Sequence, residues 1–195
     1  MINSELSIRF HELIKLKTKN IHNELDNLIK INSTNEYIDY LIVMYRVMTP
    51  LEKDILNFNE FEISFSKTIL KNKSNKLILD LKNLDIDIAK INFSKFVPHI
   101  NCFDEALGCF YVLEGSSLGT QFLFKKLCSL FGENFINNMN YLNGIGRNTF
   151  QHWAQFIESL ENYTISFPEK KDIILKSAID TFKCFKLELE SKNKQ

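Results

Sequence analysis

The chain contains few of the residues that interrupt helices. Its 195 residues include six Gly and three Pro, and stretches that alternate apolar and polar residues as strands do are scarce. This pattern predicts an all-α protein. The length suits one domain with a sizeable core and is short for two. Since no internal repeat or linker interrupts the sequence, we expect a single helical domain over residues 1–195.

The sequence also lacks a net charge and a long apolar run. Lys and Arg total 24, as do Asp and Glu, which argues against electrostatic capture of nucleic acid or an anionic membrane. No run of about 18 apolar residues is present, so we expect no transmembrane helix. The first residues, MINSELSIRFHELIKLKTKN, are dense in charge and contain no apolar signal core. We therefore expect a cytoplasmic protein with no nucleic-acid partner and no membrane insertion.

Common catalytic motifs are missing as well. There is no Glu-x-x-His ligand pattern of a di-iron helix bundle, no Walker phosphate loop, no HExxH and no G-x-S-x-G nucleophile elbow. The four cysteines include no CxxC pair. Cys102 and Cys109 lie two turns apart on one predicted helix, about 10 Å along its axis, which is too far for a disulfide. We expect structural thiols that are buried.

Capping residues and prolines predict where the first helices begin and end. A first helix is expected from about Asn3 to Lys30. A second begins at the capping pattern Ser33-x-x-Glu36, and Pro50 is expected to kink or break it. In residues 58–97 the segments FEISFSKTIL and KLILDLKNLDIDIAKI are interpreted as short helices.

A longer helix follows. Asn101 is its expected N-cap and Gly132 its stop, which gives about thirty residues. A shorter helix is expected over about 147–162, and Pro168 is expected to open the last one.

One stripe of the first helix has the residue types of a ligand site. His11, Lys15, Thr18 and His22 are spaced 4, 3 and 4, and Asp26 extends the stripe by a turn. The two histidines are about 16 Å apart along the axis, so they cannot share a metal ion. A solvated or structural role is the common one for such residues. A single imidazole with an open position opposite suits heme iron, and Asp26 could then fix its tautomer.

The stretch YVLEGSSLGT places two glycines inside the long helix. Gly115 and Gly119 lie on one face, next to Ser116, and each costs about 0.5–1 kcal/mol of helix stability. Removing both side chains exposes a strip of backbone. Either another helix packs closely there or a flat ligand approaches.

Together these segments resemble a known family, the heme oxygenases. IKLKTKNIHNELD is similar to the proximal helix of bacterial and plant members, and YVLEGSSLGT to the distal helix of bacterial and phytochrome-associated members. The later stretches YLNGIGRNTFQHWAQFIESL and AIDTF also resemble the family, so the similarity spans essentially the whole chain. It implies a multi-helix bundle with heme between a proximal and a distal helix.

The resemblance also implies roles for individual residues. His22 takes the place of the axial ligand to the iron. The residues implied to bind heme are Lys15, Thr18, Lys19, His22, Asp26 and Phe182. Those implied to form the catalytic distal face are Gly115, Ser116 and Gly119.

The sequence departs from the family pattern in two places. Thr120 replaces a usual glycine, and Ser116 stands where animal members have an acidic residue. Basic residues for the second propionate are not assigned; the candidates are Arg147, Lys183 and Lys186.

The implied reaction is oxidative cleavage of heme to biliverdin, CO and Fe²⁺, with heme as both cofactor and substrate. It uses O₂ and electrons from an external donor, because the chain has no flavin or iron–sulfur signature. A ferredoxin or an NAD(P)H-dependent reductase is the implied partner, and a phytochrome is a candidate bilin acceptor. Three alternatives remain: a heme-binding or heme-sensing protein without turnover, a helical protein-interaction scaffold, and a thiaminase-like hydrolase with Cys109 as nucleophile.

Overall fold

The computed structural model describes residues 8–61, 67–144 and 146–192, without the side chains at 67–72 and 147. The described residues contain no strand, and the all-α prediction is confirmed. Their helices are α1 (Phe10–Leu28), α2 (Thr34–Ile55), α3 (Lys67–Asn83), α4 (Phe103–Phe131), α5 (Asn140–Asn143), α6 (Thr149–Ser166) and α7 (Lys171–Lys192). Short 3₁₀ turns lie at Ile88–Lys90, Glu133–Asn138, Gly146–Asn148 and Pro168–Lys170. No helix in these ranges is both long and apolar enough to cross a membrane.

The first helix begins later than expected. Ile8 and Arg9 are not helical, and α1 starts at Phe10; the expected start at Asn3 lies outside the described residues. Arg9 provides no side-chain cap. Instead the carboxylate of Glu161, on α6, accepts the N–H groups of Phe10 at 3.1 Å and His11 at 2.8 Å. A distant carboxylate thus satisfies the free donors of the helix start, which the local sequence does not reveal.

Glu161 also contacts the His11 ring, with Nδ1 2.8 Å from the carboxylate. Burial opposes ionisation of Glu161, but these donors hold the pKa of its carboxyl below the usual range. His11 is therefore a structural anchor of α1.

The second helix is capped as predicted. Ser33 Oγ accepts the N–H of Glu36 at 3.2 Å, and the Glu36 carboxylate accepts the N–H of Asn32 at 2.7 Å. Pro50 does not end the helix, which continues to Ile55. A proline at this position removes the donor that would bond to the Arg46 carbonyl. The N–H of Ser94 takes its place at 3.0 Å, so a loop outside the helix satisfies the free acceptor.

The long helix α4 has 29 residues and ends where predicted. Gly132 follows it with φ +80°, and its N–H bonds to the Cys128 carbonyl, a conformation that glycine adopts without strain. The predicted N-cap was one residue off, because Cys102 occupies that position. Asn101 lies outside it and donates its backbone and side-chain N–H groups to Glu105, at 2.7 and 3.2 Å.

The remaining helices differ from expectation in extent. The segment FEISFSKTIL lies largely outside the described residues. KLILDLKNLDIDIAKI is not one short helix: α3 ends at Asn83, Asp85 takes a positive φ of 59°, and Ile88–Lys90 forms a 3₁₀ turn. α6 runs four residues past the predicted end at 162. Pro168 opens a 3₁₀ turn that leads into α7.

α7 packs against three of the long helices, α1, α2 and α4. It runs parallel to α1. Lys171 lies 5.9 Å from the centre of the Phe10 ring, and fourteen residues further along α1, Lys186 contacts Glu24 at 2.6 Å. Both contacts are on the same side of α7, so the orientation of α1 follows from this one helix.

The closest approach of α4 to α7 is at Gly108. A Cβ placed there would lie 2.3 Å from the Ile174 carbonyl oxygen and 2.7 Å from the Ser177 Cβ. The neighbouring Cys109 thiol is buried and contacts the hydroxyls of Ser177 and Thr181. Only glycine allows the two backbones to approach this closely.

The cysteines are all free thiols, as predicted. Cys109 and Cys184 are buried, whereas Cys102 and Cys128 are half-buried. The expectation of buried thiols therefore holds for two of the four.

Gly108→Ala should destabilise the protein, because the new methyl group meets the α7 backbone. We expect a loss of about 1–3 kcal/mol in the free energy of unfolding, as for other overpacked cores. Gly119→Ala is the matched control: its Cβ would meet nothing within 4 Å, and it should gain about 0.5–1 kcal/mol of helix stability. Urea unfolding followed by circular dichroism measures both. Equal effects of the two substitutions would contradict the packing described.

Candidate functional site

His22 is presented on the surface of α1 with a carboxylate partner. Its side chain is 58% exposed, and Nδ1 lies 3.2 Å from Asp26 Oδ2. A carboxylate at this distance favours the tautomer with hydrogen on Nδ1 and leaves the Nε2 lone pair free. Phe182, on α7, contacts the imidazole edge-on, with ring centroids 5.9 Å apart. The structure thus brings together three residues that the sequence assigned to one site.

The other predicted residues of this helix divide into two groups. Lys15 and Lys19 are exposed. Thr18 is buried, and its hydroxyl donates to the Ile14 carbonyl of its own helix at 2.8 Å. The two lysines can reach a ligand that approaches α1, whereas the Thr18 hydroxyl is occupied within the helix.

Two lysines of α7 lie on the same side of the molecule. Lys186 contacts Glu24 of α1 at 2.6 Å, and this hydrogen bond raises the pKa of the lysine. Lys183 contacts Asp180 at 3.2 Å and is exposed. The Arg147 side chain lies outside the described residues. Of the three candidates for binding a second propionate, Lys183 is exposed to solvent. Lys186 is already paired with Glu24, a contact that links α7 to α1.

The two glycines of α4 form a bare strip of helix. A Cβ at Gly115 would meet only the Trp153 ring, at 3.4 and 3.6 Å. A Cβ at Gly119 would meet no atom of the described residues within 4 Å. The helix stays regular through both positions. The strip is therefore covered by an indole at one end and open at the other. Among the described residues no backbone of another helix comes within 4 Å of these two Cβ positions, and the close helix packing of α4 occurs instead at Gly108.

The polar neighbours of the strip face the protein. Ser116 donates its hydroxyl to the Leu113 carbonyl at 2.7 Å. Burial raises the pKa of the nearby Tyr141 phenol to about 12, against a lowering effect of Ser116, and the phenol donates to Met48 Sδ at 3.2 Å. Thr120 is buried and donates to the Ser117 carbonyl. The threonine that replaces a glycine of the family pattern therefore adds no bulk to the open face.

A lysine that sequence reasoning missed contacts the face of α4 opposite the glycine strip. Lys73, on α3, is buried, and its ammonium contacts the Glu114 carboxylate at 3.0 Å and the Ser117 hydroxyl at 2.8 Å. It also donates to the Leu113 carbonyl. At 100° per residue, Leu113 and Ser117 lie opposite the glycines. No local pattern marks Lys73 in the sequence, because its partners are forty residues away.

A second carboxylate lies near this ion pair. Glu52, on α2, is buried and accepts the N–H of Ser74 at 2.9 Å. Burial raises the pKa of its carboxyl, against the lowering effect of Ser74 and the Lys73 charge. The ammonium of Lys73 thus pairs with Glu114, and its charge also acts on the pKa of Glu52.

Comparison with known proteins identifies the family and the fold of the chain. The sequence model of the heme oxygenase family, described as "Heme oxygenase", matches residues 8–190. A crystal structure of the NO- and CO-bound heme oxygenase from Neisseria meningitidis superposes with a TM-score of 0.77. The two chains are 24% identical, and the match covers 95% of this chain and 92% of the other. At this identity the structural match establishes the fold. No curated protein matches the sequence.

Lys73→Met should be strongly destabilising, because it leaves Glu114 buried without a cation. We expect a loss of about 3–5 kcal/mol in the free energy of unfolding, measured by urea denaturation. The double variant Lys73→Met/Glu114→Leu should recover most of that loss. Lys82→Met, an exposed lysine of the same helix, is the control and should have little effect. A double variant no more stable than the single one would show that the ion pair is not the source of the effect.

Proposed function

Because the chain belongs to the heme oxygenase family, we propose that it cleaves heme oxidatively to biliverdin, CO and ferrous iron. Family and fold imply a heme-degrading oxidoreductase in general; the products are our proposal. Two observations carry it: an exposed imidazole on α1 that contacts Asp26, and a face of α4 left bare at Gly119.

The residues present fit heme. His22 offers a free Nε2, the atom through which an imidazole would hold heme iron. The open space at Gly119 admits a flat ring close to the helix backbone. Lys15 and Lys19 are exposed cations on the same helix as His22, suited to the carboxylates of the propionates. Phe182 provides an apolar wall beside the imidazole.

Each residue has a defined task in this proposal. Heme, when bound, supplies the iron that reacts with O₂ and the porphyrin ring that is cleaved. His22 would hold the iron through Nε2 as a neutral imidazole, with Asp26 accepting the Nδ1 hydrogen and fixing that tautomer. Gly119 keeps the space beside the helix free of side chains, and Gly115 leaves room for the Trp153 ring. Trp153 covers the Gly115 end of the strip and excludes water there.

Ser116 contributes through its oxygen. Because its hydrogen is donated to Leu113, its lone pairs can accept from a water molecule. Ordered water bridging such groups can carry a proton toward the open face. In this proposal Ser116 positions water and donates no proton itself.

Electrons must come from another protein. We propose a ferredoxin or an NAD(P)H-dependent reductase as donor, with the cytoplasm as the setting. A bilin-accepting protein such as a phytochrome is a candidate recipient of the product.

Two alternative functions agree less well with the structure. A scaffold function would use the glycine pair to seat another helix, but the helix-packing glycine of α4 is Gly108. A thiaminase-like hydrolase needs a reactive thiolate. Cys109 is buried, burial raises the pKa of its thiol, and its hydrogen-bond partners are the hydroxyls of Ser177 and Thr181. None of these partners is a base that could activate it.

The axial ligand can be tested by hemin titration followed by absorption spectroscopy. We expect a 1:1 complex for the unaltered protein and, for His22→Ala, at least about tenfold weaker binding that added imidazole partly restores, because losing a ligand exceeds the effect of losing an outer-shell contact. His99→Ala, an exposed histidine, should bind hemin normally. Unchanged binding by His22→Ala would refute this assignment.

Turnover separates the enzyme from a heme-binding protein without activity. The hemin complex, reduced with ascorbate in air, should lose its Soret band and form a bilin spectrum. Gly119→Leu should keep the fold but lower the rate about a hundredfold, since small displacements of reacting groups cost that much. Phe122→Leu, 74% exposed on the same helix, should not. A stable Soret band in the unaltered protein would favour the sensing alternative.

A further inference from the structure

A cavity lies between α2, α7 and the loop at residues 93–96. Its volume is about 330 Å³, and it is open to solvent on one side. Ile42, Val43, Phe93 and Phe96 form apolar walls. None of its lining residues belongs to the proposed heme site. Its size lies at the lower end of the range, about 300–1,000 Å³, that small-molecule sites occupy.

The wall of this cavity is fixed by the proline of α2. Pro50 leaves the Arg46 carbonyl without a helical donor, and Ser94 provides one at 3.0 Å. The neighbouring Phe93 packs on Tyr45, with ring centroids 5.8 Å apart. The loop is thereby held against α2 by a hydrogen bond and a ring contact, so the cavity is a preformed feature of the fold.

The cavity contains a guanidinium whose end is free. Arg46 Nε lies 3.0 Å from Glu188 Oε1, and Glu188 is only 1% exposed. The two terminal nitrogens of Arg46 make no hydrogen bond within the described part of the chain, and its side chain is 35% exposed. The buried carboxylate therefore holds the guanidinium as an ion pair in which neither Nε nor Oε1 makes a hydrogen bond to the described residues, and the fork of terminal donors remains available. Such a fork binds a carboxylate through two parallel hydrogen bonds.

The charge balance of the cavity favours an anion. The Arg46 charge is balanced by Glu188, and Lys192 is paired with Asp39 at 2.7 Å. Lys95 has no carboxylate partner among the described residues and lies 5.4 Å from the centre of the Phe96 ring. One positive charge is thus left over among the residues that line the cavity together with Arg46.

We propose that this cavity binds a small organic carboxylate with an apolar or aromatic body. The carboxylate contacts the terminal nitrogens of Arg46 and the ammonium of Lys95. The apolar body lies against Ile42, Val43 and Phe96. Inorganic phosphate can pair with the positive charges but leaves the apolar walls exposed to water. It should therefore bind more weakly than the organic carboxylate. The proposal is independent of heme and of turnover.

The test is an NMR titration of the heme-free protein with 4-phenylbutyrate as the probe. The backbone amide chemical shifts are measured at each probe concentration. The shift changes should fall on the α2, α7 and 93–96 residues that line the cavity. The uncharged 4-phenylbutanamide should bind at least about tenfold more weakly, since it loses a charge-assisted interaction. Inorganic phosphate should also bind at least about tenfold more weakly.

Variants distinguish binding in the cavity from nonspecific attraction of the anion to surface lysines. Lys95→Gln should weaken binding of the acid severalfold and leave binding of the amide unchanged. Lys125→Gln, an exposed lysine of α4, should change neither. Ile42→Trp should fill the cavity and abolish binding, with its fold checked by circular dichroism. Equal binding of acid and amide, shifts confined to the α1–α4 face, or no saturable shift would each overturn the proposal.

Discussion

The contact between α4 and α7 at Gly108 sets the geometry on which the rest of the molecule depends. The absence of a side chain lets the two backbones meet, with the Ile174 carbonyl where a Cβ would stand. The same α7 carries Phe182, which contacts His22, and Lys186, which holds Glu24 of α1. The spacing between the helix that presents His22 and the helix that carries the glycine strip is therefore determined by α7. A shift of α7 would move both sides of the proposed heme site.

Glycine serves two opposite purposes in α4. At Gly108 its small size is used for packing, whereas at Gly119 the space it leaves is not filled by the described protein. Glycine also weakens a helix, by about 0.5–1 kcal/mol at each position. Lys73 offsets this weakness from the opposite face, because its ammonium ties Leu113, Glu114 and Ser117 to α3. A helix with a bare face can remain straight when its other face is held.

Features with local causes could be predicted from the sequence. The Ser33 cap and the Gly132 stop were predicted because each depends on residues within one turn of the chain. Features with distant partners could not. The start of α1 depends on Glu161, which is 151 residues from Phe10. Continuation through Pro50 depends on Ser94. Nor could sequence reasoning tell which glycine of α4 packs against a helix, since Gly108 and Gly119 differ only in what approaches them. The roles of the heme-site residues stay predictions, carried by the family pattern and by the His22–Asp26–Phe182 contacts.

The central claim is that His22 on α1 and the glycines of α4 face one heme. Paramagnetic broadening of backbone amide signals measures this directly, with ferric hemin as the probe and zinc protoporphyrin as the diamagnetic control. Hemin should selectively broaden the amide signals of His22, Gly115 and Gly119, whereas the amide signals of the residues lining the α2–α7 cavity should stay sharp. Broadening of the α1 amides without that of Gly115 and Gly119, or broadening centred elsewhere, would contradict it.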